Sequence, residues 1–156
     1  MAQIPEKSLR QRALEYLSKR EYSYAELGQK LKGYADEHDD IPALLDDFKK
    51  RGWLSDVRFT EQLVQARKAK FGSAKVAHEL RGKGIAEDLI VHAVEAVKSD
   101  EFAHAAEVWR KKYKAAPSNR DEWAKQARFL QSRGFGFDVI KKLLNSEKEL
   151  NQNFEE

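Results

Sequence analysis

The sequence predicts an all-α protein made of tandem three-helix units of the helix-turn-helix kind, elongated rather than gathered around one core. Three observations predict it. Apolar residues recur at spacings of three and four along most of the chain, and no segment shows sustained two-residue alternation. A helix-stop signal followed at once by a helix-start signal occurs three times. Phe48 to Val57, Leu80 to Leu89 and Leu130 to Val139 each read as apolar residue, two spacers, cation, glycine, apolar residue, two spacers, aspartate, aliphatic residue. Finally, a chain of 156 residues that is 35% charged, with a mean hydropathy of -0.76, has too little apolar side chain for one deep core. Several small cores in series fit better.

The elements follow in order. Leu9, Ala13, Tyr16 and Leu17 make the stripe of a first helix over roughly residues 8–20. Ser23 has the side-chain oxygen to cap a short second helix carrying Leu27 and Leu31, which ends near Gly33-Tyr34. Gly28 lies inside that helix, so Gly28→Ala is expected to stabilise it. Acidic residues 35–40 form a turn, and Pro42 suits the first turn of a third helix that buries Ile41, Leu44, Leu45 and Phe48. Gly52 stops this helix and Trp53 folds back on Phe48, which closes a first unit over residues 1–54. Ser55 and Asp56 then open a helix with Phe59, Leu63 and Ala66 on one face. The plan repeats at an offset of 49 residues, matching Tyr22, Leu27, Leu31, Lys32 and Gly33 to Phe71, Val76, Leu80, Arg81 and Gly82. A helix near 87–98, with Leu89, Ile90, Ala93, Val94 and Val97 on one side, completes a second unit over 55–99. The third unit, 100–146, carries Phe102, Ala106, Trp109 and Tyr113, then Trp123, Ala127 and Leu130, then Ile140, Leu143 and Leu144. Residues 147–156 read as an acidic, disordered tail.

Composition excludes several functions. With no cysteine there is no disulfide, thiolate nucleophile or cysteine metal site, and His38, His78, His92 and His104 have no ligand spacing. Asp39-Asp40 and Asp46-Asp47 point about 100° apart on a helix and lack a third ligand. The glycine pairs at 82/84 and 134/136 follow helices and do not continue as phosphate-binding loops. No cofactor and no catalytic residue is expected, hence no enzyme. No apolar run reaches the length of a membrane span and the N-terminus lacks signal-peptide character, so a cytoplasmic protein without membrane partners is expected. The net charge is only +3, but from Val57 to Ile85 seven cations, Arg58, Arg67, Lys68, Lys70, Lys75, Arg81 and Lys83, face two acids, Glu61 and Glu79. These seven are the candidate binding residues, a positive strip suited to phosphates or an acidic groove.

The blocks Gly52-Trp53-Leu54-Ser55-Asp56-Val57-Arg58-Phe59, Arg67 with Lys70-Phe71-Gly72, Glu79-Leu80-Arg81-Gly82-Lys83-Gly84-Ile85, and Phe129-Leu130-Gln131-Ser132-Arg133-Gly134-Phe135 with Asp138 and Ile140 together resemble the bacterial RecX family over nearly the whole chain. Trp53, Ser55 and Val76 depart from the residues usual there. The resemblance implies an array of three-helix modules that binds the RecA filament on DNA and modulates, most often inhibits, RecA ATPase, strand exchange and co-protease activity. It also implies weak, non-specific contact with DNA alone; a monomer is expected. The alternative from the residues is a helix-turn-helix DNA-binding protein, with a glycine turn leading a helix into a major groove. Against it, the helix after Gly84 opens Glu87-Asp88-Leu89 and the one after Gly134 opens Phe137-Asp138-Val139, both poor at reading bases.

Overall fold

The computed structural model describes residues 6–154, and of 148–154 the backbone alone. Among the described residues there are nine α-helices and no strand: α1 (Leu9–Lys19), α2 (Tyr24–Leu31), α3 (Ile41–Lys50), α4 (Asp56–Arg67), α5 (Ser73–Gly82), α6 (Glu87–Ser99), α7 (Glu101–Lys112), α8 (Arg120–Ser132) and α9 (Phe137–Phe154). Local chemistry sets most starts. Ser8 and Gln11 form a reciprocal capping box on α1, while Ser23, Asp40, Ser55 and Asn119 accept from the first free amides of α2, α3, α4 and α8. Pro42 sits in the first turn of α3, where its missing N–H has no intrahelical partner to lose.

The three glycine signals close as one motif. Gly52, Gly84 and Gly134 have φ of 78°, 74° and 89°, and no other described residue has positive φ. The residue after each donates its N–H five positions back, Trp53 to Phe48 at 2.9 Å, Ile85 to Leu80 at 3.1 Å and Phe135 to Leu130 at 3.2 Å. The glycine N–H bonds three back, as in a Schellman cap. The hydrophobic partner contact is present too: Trp53 lies edge-on to Phe48, with ring centroids 5.5 Å apart.

Buried apolar residues fall into three clusters. One joins Leu9, Ala13, Leu27, Leu31, Leu45 and Phe48 from α1 to α3, a second Phe59, Val64, Val76, Leu80, Ile90 and Val97 from α4 to α6, and a third Ala105, Trp109, Leu130, Ile140, Leu143 and Leu144 from α7 to α9. Among the described residues close helix packing runs mainly within these sets, and α6 against α7, consecutive in the chain, links the second and third. The cores are therefore in series.

The units are joined by a device that occurs twice. At the start of α2, the Tyr24 N–H donates to Asp56 Oδ1, the first residue of α4, at 2.8 Å, and the Ser23 hydroxyl donates to the Lys83 carbonyl in the next unit's glycine turn at 2.7 Å. At the start of α5, 49 residues on, the Ser73 N–H donates to Glu101 Oε1, the first residue of α7, at 3.0 Å. The Gly72 and Ala74 N–H groups there donate to Arg133 and Gly134 carbonyls at 2.8 and 3.2 Å. The starts of α2 and α5 are thus each bonded by the following unit; α2 also has its own Ser23 cap, whereas α5, which starts after Gly72, has no side-chain cap of its own.

Several expectations are corrected. The match of Gly33 to Gly82 as closing positions does not extend to their structure, since Gly33 lies in a 3-10 helix (Lys32–Tyr34) and Gly82 is the last residue of α5. A Cβ at Gly28 would lie 3.2 Å from Leu45 Cδ1, a core atom, so Gly28→Ala does not stabilise without a shift of Leu45. Phe102 lies at the edge of the third core, 36% exposed, and Glu101 and Ala105 take the buried face. The patterned helix expected to end near Asn145 continues as α9 to Phe154, because the Glu, Lys, Leu and Gln that follow favour helix and no Gly or Pro stops it. Residues 155–156 of the expected tail lie outside the described residues, as do residues 1–5.

Candidate nucleic-acid interface

Four of the seven strip cations are held by acids of the chain itself. Arg58 donates from Nε to Glu21 at 2.9 Å and from Nη2 to the Gly52 carbonyl at 2.7 Å, fastening α4 to the segment before α2. Arg67 grips Glu79 with two bonds of 3.0 Å, linking α4 to α5, and this partner raises the guanidinium pKa further. Arg81 makes a two-bonded pair with Glu87 across the glycine turn. Lys83 reaches Glu26 at 2.7 Å. Their charges are largely spent on internal pairs, so the strip is narrower than the sequence suggests.

The other three, Lys68, Lys70 and Lys75, make no ion pair among the described residues. Lys68 caps the carbonyl end of α4, Lys70 lies in the turn that follows, and Lys75 stands exposed on α5. Here the structure brings in residues that the strip omitted. Lys75 Nζ lies 4.5 Å from the centre of the Phe71 ring and Arg133 Cζ lies 5.7 Å from it. Arg133 also lies 5.2 Å from the Phe129 ring, over which Lys112 Nζ sits at 4.1 Å, with Tyr113 edge-on to Phe129 at 5.7 Å. A row of cation, ring, cation, ring, cation therefore crosses from the second unit to the third. Arg133 and Lys112 likewise have no ion pair among the described residues. In the sequence Arg133 stands as the cation of a helix stop and, with Phe129, in a block that resembles the RecX family, while nothing there singles out Lys112. What could have found them was the repeat register, which places Arg133 beside the start of α5.

Other candidates resolve into structure. Tyr22 is buried, and the Tyr24 hydroxyl donates to Asp46 at 2.9 Å. Trp53, 42% exposed, has the Arg51 and Arg10 guanidiniums 5.2 and 5.8 Å from its ring. Of the acidic pairs, Asp40 caps α3, and Asp47 binds Arg10 and Arg51, whose hydrogen bonds hold its carboxyl below the usual carboxylate range. No group of three His, Cys, Asp or Glu among the described residues is placed to hold a metal. No helix among them is long and apolar enough to cross a membrane.

The fold and this surface define a class: a serial array of three-helix domains whose second joint carries uncompensated positive charge. Family models for the RecX second and third three-helix domains match residues 55–94 and 99–144. Curated relatives agree across the chain. The regulatory protein RecX of Leptothrix cholodnii is 41% identical over 140 residues, covering 90% of this chain and 89% of that protein. That of Herminiimonas arsenicoxydans is 43% identical over 142 residues, covering 91% and 94%. A crystal structure of RecX from Lactobacillus salivarius superposes with a TM-score of 0.77 at 20% identity, over 90% of this chain and 94% of that one, which speaks to the fold. The chain belongs to the RecX family.

Proposed function

We propose that this protein is a non-enzymatic regulator that binds the RecA filament on DNA and restrains RecA ATPase, strand exchange and co-protease activity. Its relatives are called regulatory proteins, and the resemblance that names RecA extends over the blocks on both sides of the second joint. The observation that carries the reading is the cluster of uncompensated cations at that joint. Lys68, Lys70 and Lys75 have no acid paired to them among the described residues, whereas Arg58, Arg67, Arg81 and Lys83 each do. Such a cluster attracts a polyanionic nucleoprotein from a distance and fixes how the array lies on it. The helix-turn-helix reading has less support, since Asp56 and Glu87, at the starts of α4 and α6, are engaged inside the chain.

The test is RecA-dependent ATP hydrolysis on single-stranded DNA, titrated with the wild type and with Lys68→Glu/Lys70→Glu. The wild type is expected to suppress hydrolysis. The double variant should need a several-fold higher concentration at low salt and converge on the wild type as salt rises, because screening shortens the reach of exposed charges to a Debye length of about 10 Å at 0.1 M. Lys141→Glu/Lys142→Glu, on α9, should behave as wild type. Hydrolysis unmoved by the wild type at any concentration would refute the reading.

A further inference from the structure

The two joints are built on one plan but differ in charge, and the difference lies at equivalent positions. At the first joint Tyr22 stands where the second has Phe71, Glu26 where it has Lys75, and Lys83 where it has Arg133. Glu26 closes the first joint: it accepts from Lys83 at 2.7 Å and from Arg20 through two bonds of 3.0 Å, with its side chain only 10% exposed. At the second joint the acid is replaced by Lys75, so two cations lie against the Phe71 ring with no carboxylate paired to either. Like charges this close oppose docking of the units. The docking is held instead by backbone bonds to the Arg133 and Gly134 carbonyls and by Glu101. Aromatic rings keep the cations in place without neutralising them.

We infer that the row Lys75, Phe71, Arg133, Phe129, Lys112 is a binding site for single-stranded nucleic acid, whose phosphates supply the counter-charge that Lys75 and Arg133 do not receive from Glu101, which is engaged by Ser73. The inference deepens the filament reading and rests on it only for the biological setting; the site itself requires no RecA. Three cations spaced along the row can follow the backbone of one strand, and Phe71, Phe129 and Tyr113, partly exposed between them, offer their accessible portions to unstacked bases, which a duplex keeps inside its own stack. Because the row draws on α5, α7, α8 and the glycine turn between α8 and α9, a bound strand ties the second unit to the third.

The test uses the full chain without RecA: fluorescence anisotropy of a labelled oligo-dT, and of a hairpin duplex, across a salt series. The decisive variant is Lys75→Glu, which gives the second joint the acid of the first. It is expected to melt at or above the wild-type temperature while oligo-dT affinity falls at least tenfold. The slope of log affinity against log salt should shrink by about 1.4, two contacts at about 0.7 each, because one cation is lost and Arg133 is paired. Lys112→Ala, at the outer end of the row, should lower the slope by about 0.7. Lys32→Ala/Lys49→Ala/Lys50→Ala, in the first unit, should leave it unchanged. Wild-type affinity and slope in both Lys75→Glu and Lys112→Ala would overturn the site, as would no oligo-dT binding by the wild type at low salt. Equal binding of duplex with equal loss in the variants would overturn the single-strand assignment. If Lys75→Glu abolishes oligo-dT binding but still suppresses RecA ATPase, the site stands and filament recognition lies elsewhere. Wild type that binds oligo-dT but leaves RecA untouched sinks the filament reading alone.

Discussion

Replacing Gly134 by alanine measures what the second joint contributes. Gly134 has φ of 89°, and an added Cβ would lie 2.6 Å from the Lys75 backbone nitrogen and 3.0 Å from its Cα. Left-handed backbone alone costs an alanine roughly 1–2 kcal/mol. The clash is with helix backbone, which cannot swing aside, so the turn must withdraw from α5. It then strains the bonds that Gly72 and Ala74 donate to the turn, each contributing about 0.5–1.5 kcal/mol net. The total comes to roughly 2–5 kcal/mol. Gly52 is the control, since its φ is 78° but nothing lies within 4 Å of the position a Cβ would take. Gly52→Ala should cost the backbone share alone. Urea unfolding by tryptophan fluorescence separates the regions, because Trp109 and Trp123 lie in the third unit and Trp53 closes the first. Gly134→Ala should exceed Gly52→Ala by about 1–3 kcal/mol. Equal costs, within about 0.5 kcal/mol, would mean that the turn does not bear on α5 in solution.

Two further outcomes follow from the joints. Burial pushes the Glu26 carboxyl up, but hydrogen bonds from Arg20 and Lys83 outweigh it and hold it below the usual carboxylate range. A carboxyl lowered on folding contributes fully above its unfolded pKa and loses that contribution as pH falls through the folded value, so Glu26 should stabilise evenly at neutral pH and progressively less below about pH 4.5. The stability difference between wild type and Glu26→Gln, measured against pH, should be flat above pH 5 and shrink in acid; a difference that grows in acid contradicts the pairing. Cores in series also predict a radius of gyration by solution scattering clearly above the ~15 Å of a compact chain of this length, and a value within about 1 Å of that figure would deny the serial arrangement.

What the sequence made legible is what neighbouring residues encode. Ser8, Ser23, Asp40 and Ser55 lie beside the helices they cap, and each glycine turn is written in ten consecutive residues, so helix order and the left-handed glycines could be read directly. The joints could not. Tyr24 meets Asp56 across 32 residues and Ser73 meets Glu101 across 28, and no local pattern announces either. The same gap explains the strip. Counting cations from Val57 to Ile85 ignored that Glu26 and Glu21 return from the first unit to hold Lys83 and Arg58. It also missed that Arg133 and Lys112 arrive from the third.

The first and third units show what a joint requires. A further unit would dock at the start of α8, where the residue 50 after Ser73 is Trp123. That residue is already inside the helix, because α8 begins at Arg120 and has its own cap: Glu122 N–H donates to Asn119 at 2.8 Å and Glu122 accepts from Ser118 at 2.8 Å. The Glu26 N–H of α2 has the same kind of cap from Ser23, so what sets α8 apart is that its first residue, Arg120, meets no acid of another unit among the described residues. At the other end, α1 has no acid in its first turn to match Asp56 or Glu101, and the turn after α2 has no left-handed glycine to match Gly84 or Gly134. Among the described residues the first unit thus lacks the acid and the glycine turn that the second and third units present to a preceding second helix. A joint therefore needs both an acid at the start of one unit's first helix and a left-handed glycine turn in the same unit, and the second joint has these while leaving Lys75 and Arg133 without a carboxylate among the described residues.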